Sequence, residues 1–388
     1  AQNVLITEDA LFDGADDYIY DEDSMRVFKP YSIREMGGSR VAIIGQAFPR
    51  VKIANPARFV PDWSFDINGE MMQELVDDLR QNQGVDAVVV LSHNGMDVDV
   101  AMAQRVTGID AILGGHTHDG IPAPTQVKNN GHTTLVCNVG SNGKFLGVLD
   151  LDIGKGKVNG FSYRLLPVFS ELLPADAQMT ALIAAERAPY AGWMDEELAV
   201  ADEVLYRRGN FNGTFDQVIC DALRSHYDAQ ISLSPGFRWG TSVLQGQTIT
   251  MERVLDQTAT TYPETYARDM TGAEIKLILE DVADNIFNPE PYLQSGGDMV
   301  RLGGLDYRCD PLAQMGSRID EMRLDNGTVI EASKTYRVAG WATVGSRSEG
   351  DDIWDVVAQH LRDQQEVKID KLNTPVLLNV AGNPGYKA

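Results

Sequence analysis

The chain has little of what marks a disulfide-built, membrane-spanning or nucleic-acid-binding protein. Three cysteines in 388 residues, Cys137, Cys220 and Cys309, stand far apart. They give no CxxC metal motif and no disulfide framework. No run of about 18 apolar residues occurs, which excludes a helical membrane span. Basic residues are scarce, 33 against 56 acidic, for a net charge of −23. Such a surface repels nucleic acid and anionic membranes, so no polyanion partner is expected. The residues contain no internal repeat and no low-complexity segment, and the length calls for two domains rather than one core.

Histidine is also scarce, with six in the chain, yet three fall in two short turns. These are Leu91-Ser92-His93-Asn94-Gly95 and Gly114-Gly115-His116-Thr117-His118-Asp119-Gly120. Each turn follows an apolar run. Residues 85–91 are rich in β-branched side chains without alternation, the pattern of a parallel strand covered on both faces. Residues 97–106 have helical spacing, and residues 109–113 form a second short strand. This βαβ unit brings the carboxyl ends of its parallel strands to one sheet edge, where ligands of open α/β sheets bind. His93, His116 and His118 therefore converge. Neutral imidazole is a common metal ligand, and three would suffice for a zinc ion with one open position. The alternative is loop histidines satisfied by ordinary hydrogen bonds. His132, His226 and His360 lack such a context and read as surface or structural residues.

The two turns, together with Asn138-Val139-Gly140-Ser141-Asn142-Gly143-Lys144-Phe145-Leu146-Gly147, resemble those of the calcineurin-like, 5′-nucleotidase-type dinuclear metallohydrolases. Within that superfamily the chain is similar to the thiosulfohydrolase (SoxB) branch of bacterial sulfur oxidation. That likeness runs through Tyr31-Ser32-Ile33-Arg34-Glu35-Met36-Gly37-Gly38, Ile44-Gly45-Gln46-Ala47-Phe48-Pro49 and the stretch from Leu91 to Asp99. The resemblance implies an α/β fold (α+β overall), with a calcineurin-like metallophosphoesterase sandwich joined by a linker helix to a 5′-nucleotidase-type C-terminal domain. The expected divisions are a partial catalytic domain at 1–170, a linker helix at 171–198 and a substrate-binding domain at 199–388. It implies two divalent ions, manganese foremost, with His93 and His116 on one and His118 on its neighbour. The family's upstream Asp-x-His, bridging Asp and Gly-Asn-His motifs do not occur before residue 93. The expectation is an N-terminally truncated sequence that contains no catalytic motif residue of its own. Three neutral imidazoles cannot offset two divalent charges, so this chain alone should bind metal weakly.

The boundary between domains falls near residues 165–195, where strand-like residues 148–153 and 160–168 give way to an alanine-rich helix opened by Pro174-Ala175-Asp176. Further on, 231–233 reads as a strand. Residues 271–286 form an amphipathic helix with a Thr271-x-x-Glu274 capping box, and strands follow at 319–324 and 334–338. Gly296-Gly297 and Gly303-Gly304 mark a flexible or closely approached loop.

In the second domain, Ser234-Pro235-Gly236-Phe237-Arg238-Trp239-Gly240 stands where the family carries an anion-gripping arginine. Arg238 is the anion-binding candidate, since a guanidinium is a bidentate partner for a tetrahedral oxyanion. The competing reading is a surface arginine stacked on Trp239. Arg207 and Arg208 are further substrate-binding candidates, or simply a solvated loop, and Asn94 could donate to a substrate oxygen or merely support its turn. Tyr262 and Trp341 read as packing residues. The resemblance further implies a periplasmic enzyme that releases sulfate from a thiosulfonate carried on a cysteine of the SoxYZ carrier protein. Two alternatives remain: a periplasmic 5′-nucleotidase, whose Gly-Gly-Asp-Gly segment is degraded here around residues 344–354, and a non-catalytic binding module that has lost its metal site.

Overall fold

A computed structural model of the chain describes residues 1–7, 10, 19–237, 240–345 and 347–382. It divides into two compact units. The first comprises Ala1–Ala175 with Glu290–Gly296, and the second Asp176–Pro289 with Gly297–Ala388. Both mix helices with sheets, as an α/β chain should.

Unit 1 is built on a six-stranded sheet. Its strands are β2 (Tyr31–Met36), β3 (Ser39–Gln46), β5 (Ala87–Ser92), β6 (Ala111–Gly114), β7 (Thr125–Asn129) and β8 (His132–Asn138), in the order β2-β3-β5-β6-β8-β7. The inner four, β3, β5, β6 and β8, are mutually parallel, while β2 and β7 run antiparallel at the edges. Two helices supply the crossovers. One is α1 (Gly69–Gln81), whose Asn68 cap accepts from the Met71 amide at 3.0 Å, and the other is α2 (Met96–Arg105). Their apolar residues Leu75, Val76, Leu79 and Met102 join Val88, Val90 and Ile112 of the sheet in one core. At 25 cal/mol per Å², each such buried side chain contributes roughly 1.5–3 kcal/mol.

The opposite face of β5 is less covered than its apolar run suggests. Leu91 is 49% exposed, and its register partner Leu113 on β6 is 36% exposed. An unbroken apolar run records that a strand suits two covered faces; of β5, Val88 and Val90 join the core with α1 and α2, and on the other face Ala87 is buried while Leu91 is not. The unit also contains the short pair β1 (Val4–Ile6) and β4 (Trp63–Phe65), and a long antiparallel hairpin of β9 (Phe145–Gly154) and β10 (Lys157–Pro167).

Unit 2 opens with α3 (Ala177–Arg187), capped by Asp176 onto the Met179 amide at 2.8 Å, with Met179, Leu182 and Ile183 all exposed. Its larger sheet has the order β14-β18-β12-β15 and is formed by β12 (Ile231–Ser234), β14 (Thr265–Thr271), β15 (Arg301–Gly303) and β18 (Thr335–Trp341). Two three-stranded sheets flank it. One is β13-β11-β19, of β11 (Glu197–Ala201), β13 (Thr248–Thr250) and β19 (Glu366–Val367). The other is β17-β16-β20, of β16 (Leu305–Cys309), β17 (Ile319–Leu324) and β20 (Val376–Leu377). The helices are α4 (Thr214–Tyr227), α5 (Met251–Thr258), α6 (Gly272–Phe287) and α7 (Ile353–Gln364).

The capping box that starts α6 forms in both directions. Glu274 N–H donates to Thr271 Oγ1 at 3.3 Å, and Thr271 N–H donates to Glu274 Oε2 at 2.7 Å. Two amides that a helix leaves orphaned are thereby satisfied. The three cysteines are free and buried, and no helix among the described residues is long and apolar enough to cross a membrane.

Candidate metal-binding edge

The carboxyl ends of β3, β5, β6 and β8 meet at one edge of the unit 1 sheet, and the histidine turns emerge there. His93 follows β5 directly, and its amide donates to the carbonyl of Gln46 at the end of β3 (3.0 Å). The His93 ring reaches solvent, yet the atoms around it partly desolvate the ring and lower its pKa below the ordinary value. Desolvation disfavours the cation, so the neutral, ligand-competent form is favoured. His116 and His118 follow β6 with φ of +65° and +59°. Left-handed backbone at two non-glycine residues is a strain that surroundings must hold in place, and it is concentrated at functional turns. The imidazoles of His93 and His116 lie 5.2 Å apart between centroids at 63°. Phe48 stacks on His116 at 4.2 Å and 29°. His118 sits half-buried two residues on.

Behind these rings a buried polar network fixes the turn. Ser92 Oγ donates to Asp99 Oδ1 at 2.6 Å, and Asn94 Nδ2 donates to the same oxygen at 3.2 Å. Gln46 Nε2 donates to Asn94 Oδ1 at 3.2 Å, and Gln2 Nε2 to Gln46 Oε1 at 2.6 Å. Asp99 has no solvent exposure, and burial raises its carboxyl to about 7 against the opposing hydrogen bonds from Ser92 and Asn94. Its other oxygen, Oδ2, has no hydrogen-bond partner and faces Gly114, where a Cβ would lie 2.6 Å away. Across the edge, Thr117 Oγ1 accepts the amide of Met96 at the start of α2 (3.2 Å), and Asn138 Nδ2 donates to the Gly115 carbonyl (3.3 Å). The two histidine turns are thus tied to each other and to α2.

The remaining sequence candidates have the following surroundings. Asn94 is 2% exposed, and its amide bonds internally with Gln46 and Asp99. Arg207 is equally buried. Its Nε pairs with Asp216 at 2.6 Å, and its other nitrogens donate to the carbonyls of Gln257 (2.5 Å) and Pro235 (3.1 Å). Its guanidinium is a framework cation in unit 2, and the neighbouring Arg208 is exposed. Arg238 and Trp239 lie outside the described residues. Trp341 is buried and donates its indole N–H to Ser234 Oγ at 2.8 Å, a packing residue as expected.

Sequence reasoning did not pick out Phe48 or Asp99, although both lie inside stretches that carry the resemblance. It did not anticipate Ser295 at all. The Ser295 carbonyl lies 3.1 Å from His116 Nε2 across 179 residues of sequence.

Imidazole donors suit a divalent ion, and the rings of His93 and His116 lie edge to face 5.2 Å apart at the same sheet edge. Among the described residues, however, no group of three or more His, Cys, Asp or Glu side chains could hold a metal ion. The histidine turns thus do not by themselves make up a metal site among the described residues.

A family model for the 5′-nucleotidase C-terminal domain matches residues 198–359. The structure of a sulfate thiohydrolase SoxB from Thermus thermophilus is 33% identical, with a TM-score of 0.87 covering 98% of this chain and 68% of that one. A 5′-nucleotidase precursor from the same organism shares the fold at a TM-score of 0.79 and 24% identity, over 98% of this chain and 78% of that one. Among curated proteins, a trifunctional nucleotide phosphoesterase, YfkN of Bacillus subtilis, is 26% identical over 342 residues. That match covers 84% of this chain but 22% of the YfkN length.

Proposed function

Because this chain belongs to the 5′-nucleotidase superfamily of two-domain hydrolases, we propose that it carries the histidine edge of a dinuclear-metal thiosulfohydrolase. In this reading the substrate is a thiosulfonate on a carrier cysteine, the carrier is a SoxYZ-type protein, and hydrolysis releases sulfate while a persulfide stays on the carrier. Two manganese ions and a periplasmic location complete the proposal. The observation that carries it is the close edge-to-face pair of His93 and His116 at the sheet edge, in a chain similar throughout to a sulfate thiohydrolase.

Within this reading each residue has a defined task. His93 and His116, with His118 beside them, present imidazole lone pairs at the edge. Ser92, Asn94 and Asp99 hold the first turn, and Thr117 holds the second against the start of α2. Phe48 stacks on one face of the His116 ring and helps to orient it. What divalent metal supplies here when bound is Lewis acidity and an acidified water. Arg238 is the proposed partner of the substrate's anionic group, through paired N–H donors.

A second reading, a nucleotide phosphoesterase, has one structural observation in its favour. Unit 2 has a cleft of about 420 Å³ lined by Leu233, Tyr266, Arg268, Ile278, Trp341 and Thr343, with Arg268 4.7 Å over the Tyr266 ring. An arginine and an aromatic ring at an apolar cleft could hold an organic anion. Sulfate release from a cysteine-bound thiosulfonate and phosphate release from AMP, measured side by side on the native manganese-loaded protein, separate the two. The proposal expects sulfate and little phosphate. Rapid AMP hydrolysis with no sulfate would overturn it.

A further inference from the structure

Glu290–Gly296 packs with unit 1 although its neighbours in sequence, α6 and β15, belong to unit 2. Its first residues are firmly held. Arg105 Nη2 donates to both carboxylate oxygens of Glu290 (2.8 and 2.9 Å), and its guanidinium lies 4.0 Å over the ring of Tyr292. Arg50 donates to the Tyr292 carbonyl at 2.7 Å. From that anchor the segment runs to His116. There the Ser295 carbonyl oxygen lies 3.1 Å from Nε2, and Gly296, with φ +70°, comes so close that a Cβ would sit 2.6 Å from the same nitrogen. Both the left-handed φ and the missing side chain are required for this approach. The ring is held by Phe48 as well, stacked at 4.2 Å.

A carbonyl oxygen has no proton to give. A neutral imidazole carries its single proton on one nitrogen and its in-plane lone pair on the other. A Ser295 carbonyl at hydrogen-bond distance therefore selects the Nε2–H tautomer. We propose that Ser295-Gly296 is a positioning element for His116, fixing its proton on Nε2 and its lone pair on Nδ1, so that His116 engages a metal through Nδ1. Metal-binding histidines commonly donate their second ring nitrogen to a carbonyl or carboxylate, which sets tautomer and orientation together. Here that partner is main-chain and comes from a segment remote in sequence, so its supply depends on Gly296 rather than on any polar side chain. The last step rests on the reading of His116 as a ligand. The tautomer does not.

The test is a long-range 1H–15N spectrum of histidine-labelled protein near neutral pH without metal, with His116 assigned by its disappearance in His116→Gln. The expected result is an unprotonated Nδ1 and a protonated Nε2 for His116. A protonated Nδ1, or rapid exchange between tautomers, overturns the proposal. Gly296→Ala should convert His116 to a tautomer mixture and weaken manganese binding by the native protein about 10- to 100-fold. Unchanged manganese affinity alongside a lost tautomer preference would overturn the positioning role. If Gly296→Ala fails to fold, the wild-type spectrum still decides. A native protein that binds no manganese but shows the Nε2–H tautomer would sink the functional reading of His116 and, with it, the step through Nδ1, leaving only the hydrogen bond.

Discussion

Replacing Asp99 by asparagine should make unit 1 more stable near neutral pH and less so, in comparison, under mild acid. The carboxyl of Asp99 is fully buried, and its pKa is raised from 3.8 to about 7, first by burial. Between those two values the folded chain keeps a proton that the unfolded chain has released. Stability therefore falls as pH rises from about 4 to about 7, and is flat with respect to this group above that. At 1.36 kcal/mol per pKa unit, a shift of about three units corresponds to roughly 4 kcal/mol across the whole window. Between about pH 5.5 and pH 8 the share lost is about 2 kcal/mol. Asparagine has nothing to ionise, keeps an Oδ1 for Ser92 and Asn94, and places an amide where the unpartnered Oδ2 stood. The assay is urea-dependent hydrogen exchange of β5, α2 and β6 peptides, corrected for intrinsic exchange rates, with unit 2 peptides as the internal reference. The advantage of Asp99→Asn should grow by about 2 kcal/mol from pH 5.5 to pH 8. An advantage independent of pH, or a variant less stable than wild type at about pH 8, would refute the reasoning.

Two further substitutions probe unit 2. Asp216 lies fully buried between Arg207 (2.6 Å) and Arg301 (3.3 Å) and accepts the Gly213 amide, so Asp216→Ala leaves the buried Arg207 without its carboxylate, while Arg301 keeps Asp298 at 2.7 Å. It should cost about 3–5 kcal/mol in urea unfolding of unit 2. Thr271→Ala removes one arm of an exposed capping box and should cost only about 1 kcal/mol, read from the same transition.

What could be read from the residues follows the range of the interactions involved. The Thr271-Glu274 box and the helix opened by Asp176 depend on contacts within a few residues, and the βαβ unit that carries the histidines depends on periodic patterns along each element, with Val89 pairing Ala111 across one crossover; each stands within a few positions of expectation. Arg207 shows the limit. Adjacent charges look like a solvated loop, and nothing local announces that Asp216 and two carbonyls surround one of them. Gly296-Gly297 did signal close approach, because glycine is what a crowded left-handed position needs. The identity of what approaches, His116, is set by chain topology over 179 residues and left no mark in the local sequence. Leu91 is a third case, since an apolar residue reports a preference for cover without naming what provides it.

The central claim is that the two histidine turns form one edge of a dinuclear metal site. The most direct measurement is the metal content, by mass spectrometry, of the native protein and of His93→Ala, His116→Ala and His118→Ala. The account predicts about two divalent ions per native wild-type protein, against weak binding by the present chain alone, and the loss of one or both in each variant, with folding preserved. Full metal content in all three variants would contradict it.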